Sequence, residues 1–321
     1  MTNMKILVTG AAGFIGSHLS ERLKSLDHDV VGIDNFNTYY SPELKKLNAE
    51  DLEKKGITVE MRDLTTDDLT DVLKDVEIVF HLAAQPGISS ATAFDTYLRN
   101  NIVATHNLLE AVQKIDLKMF INVSTSSVYG MHATEDETTS PKPTSYYGVT
   151  KLAAEQLALS YHRDKKMPVA SARLFSVYGE RERPEKLFPK LIYSILKGEP
   201  FPLHRGSQKH ARSYTYVGDI VDGLVLIMDK FDVCNGEIFN LGIDQSMTTG
   251  DAIKIVEKIL GKKAIFENKP KRPGDQKETY ADISKAIRVL GYHPLTNPQQ
   301  GLEKEVKWFK EKIWKKIELY Q

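Results

Sequence analysis

Only one cysteine, Cys234, stands among 321 residues. That excludes an internal disulfide and points to a reducing compartment; a small apolar packing role is expected of it rather than a catalytic thiol. Net charge is absent as well, with Lys plus Arg and Asp plus Glu at 43 each. No global field therefore steers the chain to nucleic acid or an anionic membrane, and local basic residues must hold any anion. No apolar run approaches the roughly 20 residues that span a bilayer, and Met1-Thr2-Asn3 leads directly into an apolar segment, with no room for a signal peptide. The cytoplasm is the expected location. The nine histidines include no pair at ligand spacing on one element, so no metal site is expected. Internal repeats, low-complexity tracts and linkers are missing too, and the length suits one large α/β unit with a smaller lobe.

What the chain does have begins at Lys5-Ile-Leu-Val-Thr-Gly-Ala-Ala-Gly-Phe-Ile-Gly16. A short apolar run ends at a glycine, and from Phe14 to Leu26 the apolar residues take helical spacing: strand, tight turn, helix. Gly10 lets the chain turn off the strand, Gly13 lets the backbone approach a pyrophosphate, and Gly16 lets the helix pack against the sheet. The helix N-terminus offers N–H groups and partial positive charge to phosphates. Asp34 ends the next apolar run, 24 residues after Gly10. An acid there accepts ribose hydroxyls and repels a 2′-phosphate, which predicts NAD rather than NADP.

The pattern continues with a helix over 42–55, read as exposed, and strands over 58–61, 76–82 and 119–123. Asp63 and Leu64 suit either the adenine edge or a turn acid and a core leucine. The small residues of His81-Leu82-Ala83-Ala84-Gln85 let a cofactor lie across the sheet edge. A single helix is expected over 93–115, and a sixth strand over 170–175. Strand–helix alternation implies a doubly wound, Rossmann-like parallel sheet. Residues 1–170 read as the NAD-binding domain, with later segments returning to it. Residues 171–321, with prolines at 184, 189, 200 and 202 and helices near 186–197 and 249–260, read mainly as a smaller lobe.

Tyr147-Gly-Val-Thr-Lys151 opens a helical stretch in which positions i and i+4 share a face. A tyrosine with a pKa of about 10 is a poor base at neutral pH. A neighbouring ammonium, helped by a positive nicotinamide ring, favours the phenolate and makes Tyr147 a general acid/base. Thr125, Ser126 and Ser127, at the end of the fifth strand, can share a proton with a substrate hydroxyl in the same cleft.

Taken together, Thr9 to Gly16, His81 to Ala84, Ser124 to Gly130 and Tyr147 to Lys151 resemble the extended short-chain dehydrogenase/reductases, and within them the nucleotide-sugar epimerases and dehydratases. The resemblance implies catalysis at the sugar 4-hydroxyl of a UDP- or dTDP-sugar, and that the smaller lobe, residues 171–321, is mainly what binds the nucleotide-sugar. Tyr147 would be the base, Lys151 its activator and a ribose ligand, and Thr125 with Ser126 the hydroxyl relay. Gly10, Gly13, Phe14, Ile15, Gly16, Asp34, Asn35, Asn37, Asp63, Leu64, Leu82, Ala83, Ala84, Gln85 and Asn101 complete the implied cofactor contacts. The 4,6-dehydratases carry Asp-Glu where this chain has Ser126-Ser127, and the related decarboxylases carry a glutamate at the second of these positions; with no acid there, epimerisation is implied over elimination. The segment Arg173 to Gly179, followed by Arg181 and Arg183, resembles the part of UDP-uronate 4-epimerases that holds the sugar carboxylate. Arg183 is the implied contact, since its fork suits a carboxylate, and Ser176 lies beside it. Ser89 lines the implied sugar site where that subgroup would carry arginine, and Pro184 to Leu187 looks more like the dehydratases. Arg212 and Arg272 resemble the pair that brackets the diphosphate, while Asp275 accepts a ribose hydroxyl or caps a turn. Family members pair as dimers through a four-helix bundle. The implied enzyme is an NAD-dependent UDP-sugar 4-epimerase of the glucuronate/galacturonate type, with a UDP-glucose or N-acetyl epimerase, a net dehydrogenase and a non-catalytic NAD-binding protein as the rival readings.

Overall fold

Ile6, Leu7 and Val8 are fully buried on both faces of the first strand, as strands of a parallel sheet covered on both sides must be. The computed structural model describes residues 3–89, 91–271 and 278–320. Seven strands form the central sheet: β1 (Lys5–Thr9), β2 (Asp29–Asp34), β3 (Thr58–Met61), β4 (Ile78–His81), β5 (Met119–Thr125), β6 (Val169–Leu174) and β7 (Ile238–Leu241). Their spatial order is β3-β2-β1-β4-β5-β6-β7, and all neighbours run parallel. Strand order reverses between β1 and β4, and a crevice at the carboxyl ends of those strands is where such sheets bind ligands.

Helices cover both faces. One face buries Leu19 and Leu23 of α1 (Phe14–Ser25). The other buries Leu108, Leu109 and Val112 of the helical run over residues 94–112, called α3, with α2 (Pro42–Glu53) preceding it. Ala158, Leu159 and Tyr161 of α4 (Tyr146–Lys165) join that second core. Further along lie α5 (Leu187–Lys197), α6 (Val217–Asp229) and α7 (Thr249–Leu260). Strand Pro200–His204 pairs in parallel with Ile265–Lys269 in the smaller lobe.

Three expectations change. Helix α2 is not simply exposed, because Leu44, Lys45, Asn48 and Leu52 are buried, and Asn48 Nδ2 donates to the Ala12 carbonyl at 2.9 Å. α3 is not one regular helix, because Leu98–Val103 forms a π-helical turn, a device that re-aims side chains near functional sites. Among the elements given no range beforehand are α6 and β7, the latter being a segment that returns from far down the chain to extend the first sheet.

Candidate active site

The turn after β1 is shaped by backbone contact. Gly10 takes φ +69°, and a Cβ on it would lie 2.9 Å from the Ala83 nitrogen after β4. Only glycine meets both demands. A Cβ on Gly16 would sit 2.2 Å from the Gly10 carbonyl oxygen, so this glycine closes α1 onto the turn itself rather than onto the sheet. No side chain caps α1 at Gly13, and no acid stands in its first turn. The helix therefore presents its positive end to the cleft, where Gly10, Gly13, Phe14, Ile15 and Gly16 all line the wall. This bare, glycine-walled cradle fits the pyrophosphate of a dinucleotide.

Asp34 closes β2 and is buried, its Oδ1 accepting from the Phe36 N–H at 2.8 Å. Burial pushes its carboxyl pKa up, and the Lys45 charge opposes that. Lys45 is itself buried, with Nζ donating at 2.9 Å to both the carbonyl and Oδ1 of Asn37. Asn35 and Asn37 line the same wall. Asp63 is chiefly a turn acid: Oδ1 accepts from the Thr65 N–H and hydroxyl at 2.8 and 2.6 Å, and Oδ2 from Asn35 at 3.4 Å. Leu64 is a core residue, yet both edge the cleft.

His81 ends β4 as a neutral brace. Burial drives its pKa down to about 3, and its ring nitrogens meet Thr9 Oγ1 and Thr105 Oγ1, each at 2.9 Å. Thr9 Oγ1 also accepts from the Leu82 and Ala83 N–H groups, which fixes the strand end where Leu82, Ala83 and Ala84 line the cleft. Gln85 and Asn101, expected at the cofactor, serve otherwise and are not among the cleft-lining residues. Asn101, in the π-helical turn, accepts from the Gln85 N–H at 2.7 Å and donates to Thr150 Oγ1 at 3.0 Å, which ties α3 to α4. Ser89 is likewise absent from the cleft wall; its hydroxyl accepts from the Ala91 N–H at 3.1 Å within its own loop.

Ser145 caps α4 by accepting from the Gly148 N–H at 3.1 Å, so Tyr147 falls in the first turn, at the positive helix end. A Cβ on Gly148 would lie 2.7 Å from the Ser127 carbonyl. Glycine thus lets α4 dock against the turn Ser126–Tyr129, and this brings Tyr147 to the end of β5. Tyr147 comes beside Thr125, whose hydroxyl favours the phenolate and whose Oγ1 accepts from the Ser127 N–H at 3.2 Å. Thr125, Ser126, Ser127, Tyr147 and Lys151 line one cleft of about 550 Å³ with the glycine turn. The expected tuning of Tyr147 by Lys151 is not what dominates this site. Burial raises the Tyr147 pKa, offset by the Thr125 hydroxyl and the Arg183 charge, while burial also pushes Lys151 down to about 8 against the pull of Glu155.

The smaller lobe supplies Ser176, Arg183 and Arg212 to the same cleft. Arg183 is 9% exposed and its guanidinium lies 5.3 Å from the Tyr39 ring centroid. Its Nη2 lies 3.3 Å from Glu185, while its Nη1 is buried without a partner. Arg212 sits on a short strand paired antiparallel to Met247–Thr248. Arg272 and Asp275 lie outside the described residues.

Sequence reasoning missed Tyr39, Tyr40, Lys45, Glu182 and Lys186, all on the cleft wall. Glu182 matters most, because an acid does reach the site from the second lobe. Burial pushes its carboxyl pKa well up, with Lys186 and Arg183 opposing. Nothing in a run of alternating charges marked it. Among the described residues, no group of three or more His, Cys, Asp or Glu could hold a metal ion, and no helix is long and apolar enough to cross a membrane.

A tyrosine–lysine–threonine constellation at the switch point of a doubly wound sheet, facing a glycine cradle and a ribose acid, defines a short-chain dehydrogenase/reductase-type site. The chain belongs to the NAD dependent epimerase/dehydratase family, whose model matches residues 6–242. It is 40% identical over 309 residues to YtcB of Bacillus subtilis (strain 168), described as an uncharacterized UDP-glucose epimerase, covering 94% of this chain and 97% of that one. It is 35% identical to UDP-glucuronate 4-epimerase 6 of Arabidopsis thaliana, covering 95% of this chain and 71% of that one. The crystal structure of UDP-glucuronic acid 4-epimerase from Bacillus cereus, in complex with UDP-glucuronic acid and NAD, superimposes with a TM-score of 0.91 at 40% identity, covering 96% of this chain and 99% of that one.

Proposed function

We propose that this protein is an NAD-dependent epimerase that interconverts UDP-glucuronate and UDP-galacturonate by inverting C4. The observation that carries the choice of sugar is the buried Arg183 guanidinium, with Nη1 unpartnered in the cleft that holds Tyr147. Buried polar groups are almost always paired, and a guanidinium fork is suited to a carboxylate. The similarity to the Arabidopsis and Bacillus cereus enzymes supports the same reading.

Bound NAD supplies a reversible hydride acceptor for C4. Everything else is the work of this chain. Tyr147 removes the O4 proton as C4 is oxidised to a ketone and returns a proton when the opposite face is reduced. Thr125, beside Tyr147, holds O4 in line, with Ser126 and Ser127 next to it. Lys151 holds a positive charge under the base and reaches the cofactor ribose. Arg212, with Arg272, fixes the diphosphate while the sugar turns about its bond to it, so the reacting carbon returns to the same catalytic groups. Asp34 takes the adenosine ribose. The catalytic half is residues 1–170 with β7 and α6 returning to it, and residues 171–321 supply most of the sugar contacts. The proposed assembly is a cytoplasmic homodimer, for which the exposed Phe94, Leu98 and Val103 of α3 and Tyr146 and Val149 of α4 offer an apolar face.

Purified protein incubated with UDP-glucuronate and no added cofactor is expected to yield UDP-galacturonate by NMR, without net NADH absorbance. Turnover of UDP-glucose alone would discard the uronate and keep the epimerase. NADH accumulating after NAD⁺ addition would make it a dehydrogenase.

A further inference from the structure

Behind the cleft lies a buried ion pair that the reaction as described does not use. Glu155 is 0% exposed and Arg173, on β6, is 1% exposed. Arg173 Nε donates to Glu155 Oε2 at 3.0 Å and its Nη2 to Oε1 at 2.7 Å. Its remaining nitrogen, Nη1, donates to the Tyr129 hydroxyl at 2.9 Å, and that hydroxyl donates to Asn240 Oδ1 on β7 at 2.8 Å. The guanidinium lies 4.9 Å from the Tyr129 ring centroid. Every polar group of the pair is used, and the chain of bonds runs from α4 across β6 to the edge of the sheet.

Glu155 is one helical turn beyond Lys151 on α4, so the two share a face. We infer that the Glu155–Arg173 pair is a positioning device for Lys151: a carboxylate held in place from behind by the guanidinium, one helical turn from the lysine, whose negative field keeps the ammonium charged at the cleft floor. A buried ion pair is seldom the most stable filling for a core, and apolar residues of the same volume often do as well or better. Placing one directly behind the lysine therefore needs a reason beyond stability.

The electrostatics supply that reason. Burial pushes Lys151 down to about 8, and the Glu155 charge works against it. The other groups around the lysine give no such help. His81, from β4, is neutral; Tyr129, from the turn after β5, is occupied by Arg173 and Asn240. On α3, Tyr97 faces the Tyr147 ring at 6.3 Å between centroids, Asn101 and Thr105 carry no charge, and Glu110 meets Tyr161 and Lys165 near the far end of α4. β5 contributes only hydroxyls near the lysine. Lys151 acts in its charged form, so turnover falls as pH rises through its pKa. Removing Glu155 lowers that pKa further and brings the fall to lower pH.

This inference rests on the roles proposed for Tyr147 and Lys151, and its test separates the two. In NAD-loaded protein, lysine labelled with ¹³C at Cε reports the Lys151 titration by NMR, the signal being assigned by its loss in Lys151→Met. Glu155→Gln is expected to lower the midpoint by about one pH unit or more, and the alkaline limb of kcat moves with it while KM for the UDP-sugar is unchanged. Glu155→Asp keeps the charge and restores the midpoint. If Glu155→Gln leaves Arg173 too poorly paired to fold, the double variant Glu155→Gln/Arg173→Met removes both charges and still lowers the midpoint, by less than Glu155→Gln because no unpaired Arg173 charge is left behind. A Lys151 midpoint and alkaline limb that stay in place in the folded variants overturn the inference, whatever the loss in thermal stability. A shifted midpoint in a protein without epimerase activity supports the positioning role and overturns the proposed reaction instead.

Discussion

Tyr147→Phe is expected to lower kcat by about 10²- to 10⁴-fold, the usual contribution of a positioned acid/base, while NAD and UDP-sugar still bind. The substitution removes one oxygen and keeps the ring, which faces Tyr97 at 6.3 Å between centroids. What disappears is the hydroxyl beside Thr125, the group that moves the O4 proton in both half-reactions. Because burial holds this phenol above its usual pKa, Tyr147 rests protonated and the active base is a minor form at neutral pH. Turnover should accordingly rise with pH on the acid side until loss of the Lys151 charge ends the rise near its pKa of about 8. Steady-state kinetics with calorimetric binding of UDP checks this. Retention of a tenth or more of wild-type kcat, with binding intact, would move proton transfer to another cleft group, Glu182 or Ser126.

Arg183→Ala should separate the two substrate classes. For UDP-glucuronate, truncating one member of a buried charge pair costs about 2–5 kcal/mol, or roughly 30-fold or more in kcat/KM. For UDP-glucose no carboxylate is present, and the loss should be limited to the packing of Arg183 against Tyr39 and Gly87. A charge contact discriminates between such substrates far more strongly than an apolar pocket does. Parallel kcat/KM measurements on the two sugars decide the matter: equal losses would show that Arg183 shapes the cleft without reading the sugar, and the uronate assignment would fall.

Much of the catalytic half could be read because local signals and tertiary packing agree there. β3 occupies Thr58–Met61, and in the smaller lobe α7 occupies Thr249–Leu260, the ranges expected of them. The glycine turn, Asp34, Thr125, Tyr147, Lys151, Arg183 and Arg212 all face one cleft. Where reading failed, the deciding interaction is distant in sequence. Lys45 looks like a solvent lysine on a charged helix, yet Asn37 and Asp34 draw it inward. Asn101 carries a family position but spends its amide on the Gln85 backbone and on Thr150. β7 is four residues long with Asn240 at its centre, too short and too polar for a local signal; that asparagine is held by Tyr129, Glu135, Glu137 and Asp282. Glu182 is unremarkable in a charged run, and only the fold turns that run, with Arg183 and Lys186, onto the cleft wall.

The central claim is that hydrogen leaves C4 and returns to C4 within one protein, so that sugar configuration changes and oxidation state does not. The most direct measurement uses UDP-glucuronate deuterated at C4, with the purified protein and no added cofactor, followed by NMR and by absorbance of reduced nicotinamide. UDP-galacturonate should keep its deuterium at C4, with no build-up of reduced cofactor. Deuterium lost to solvent, or reduced cofactor formed in step with product, would contradict it.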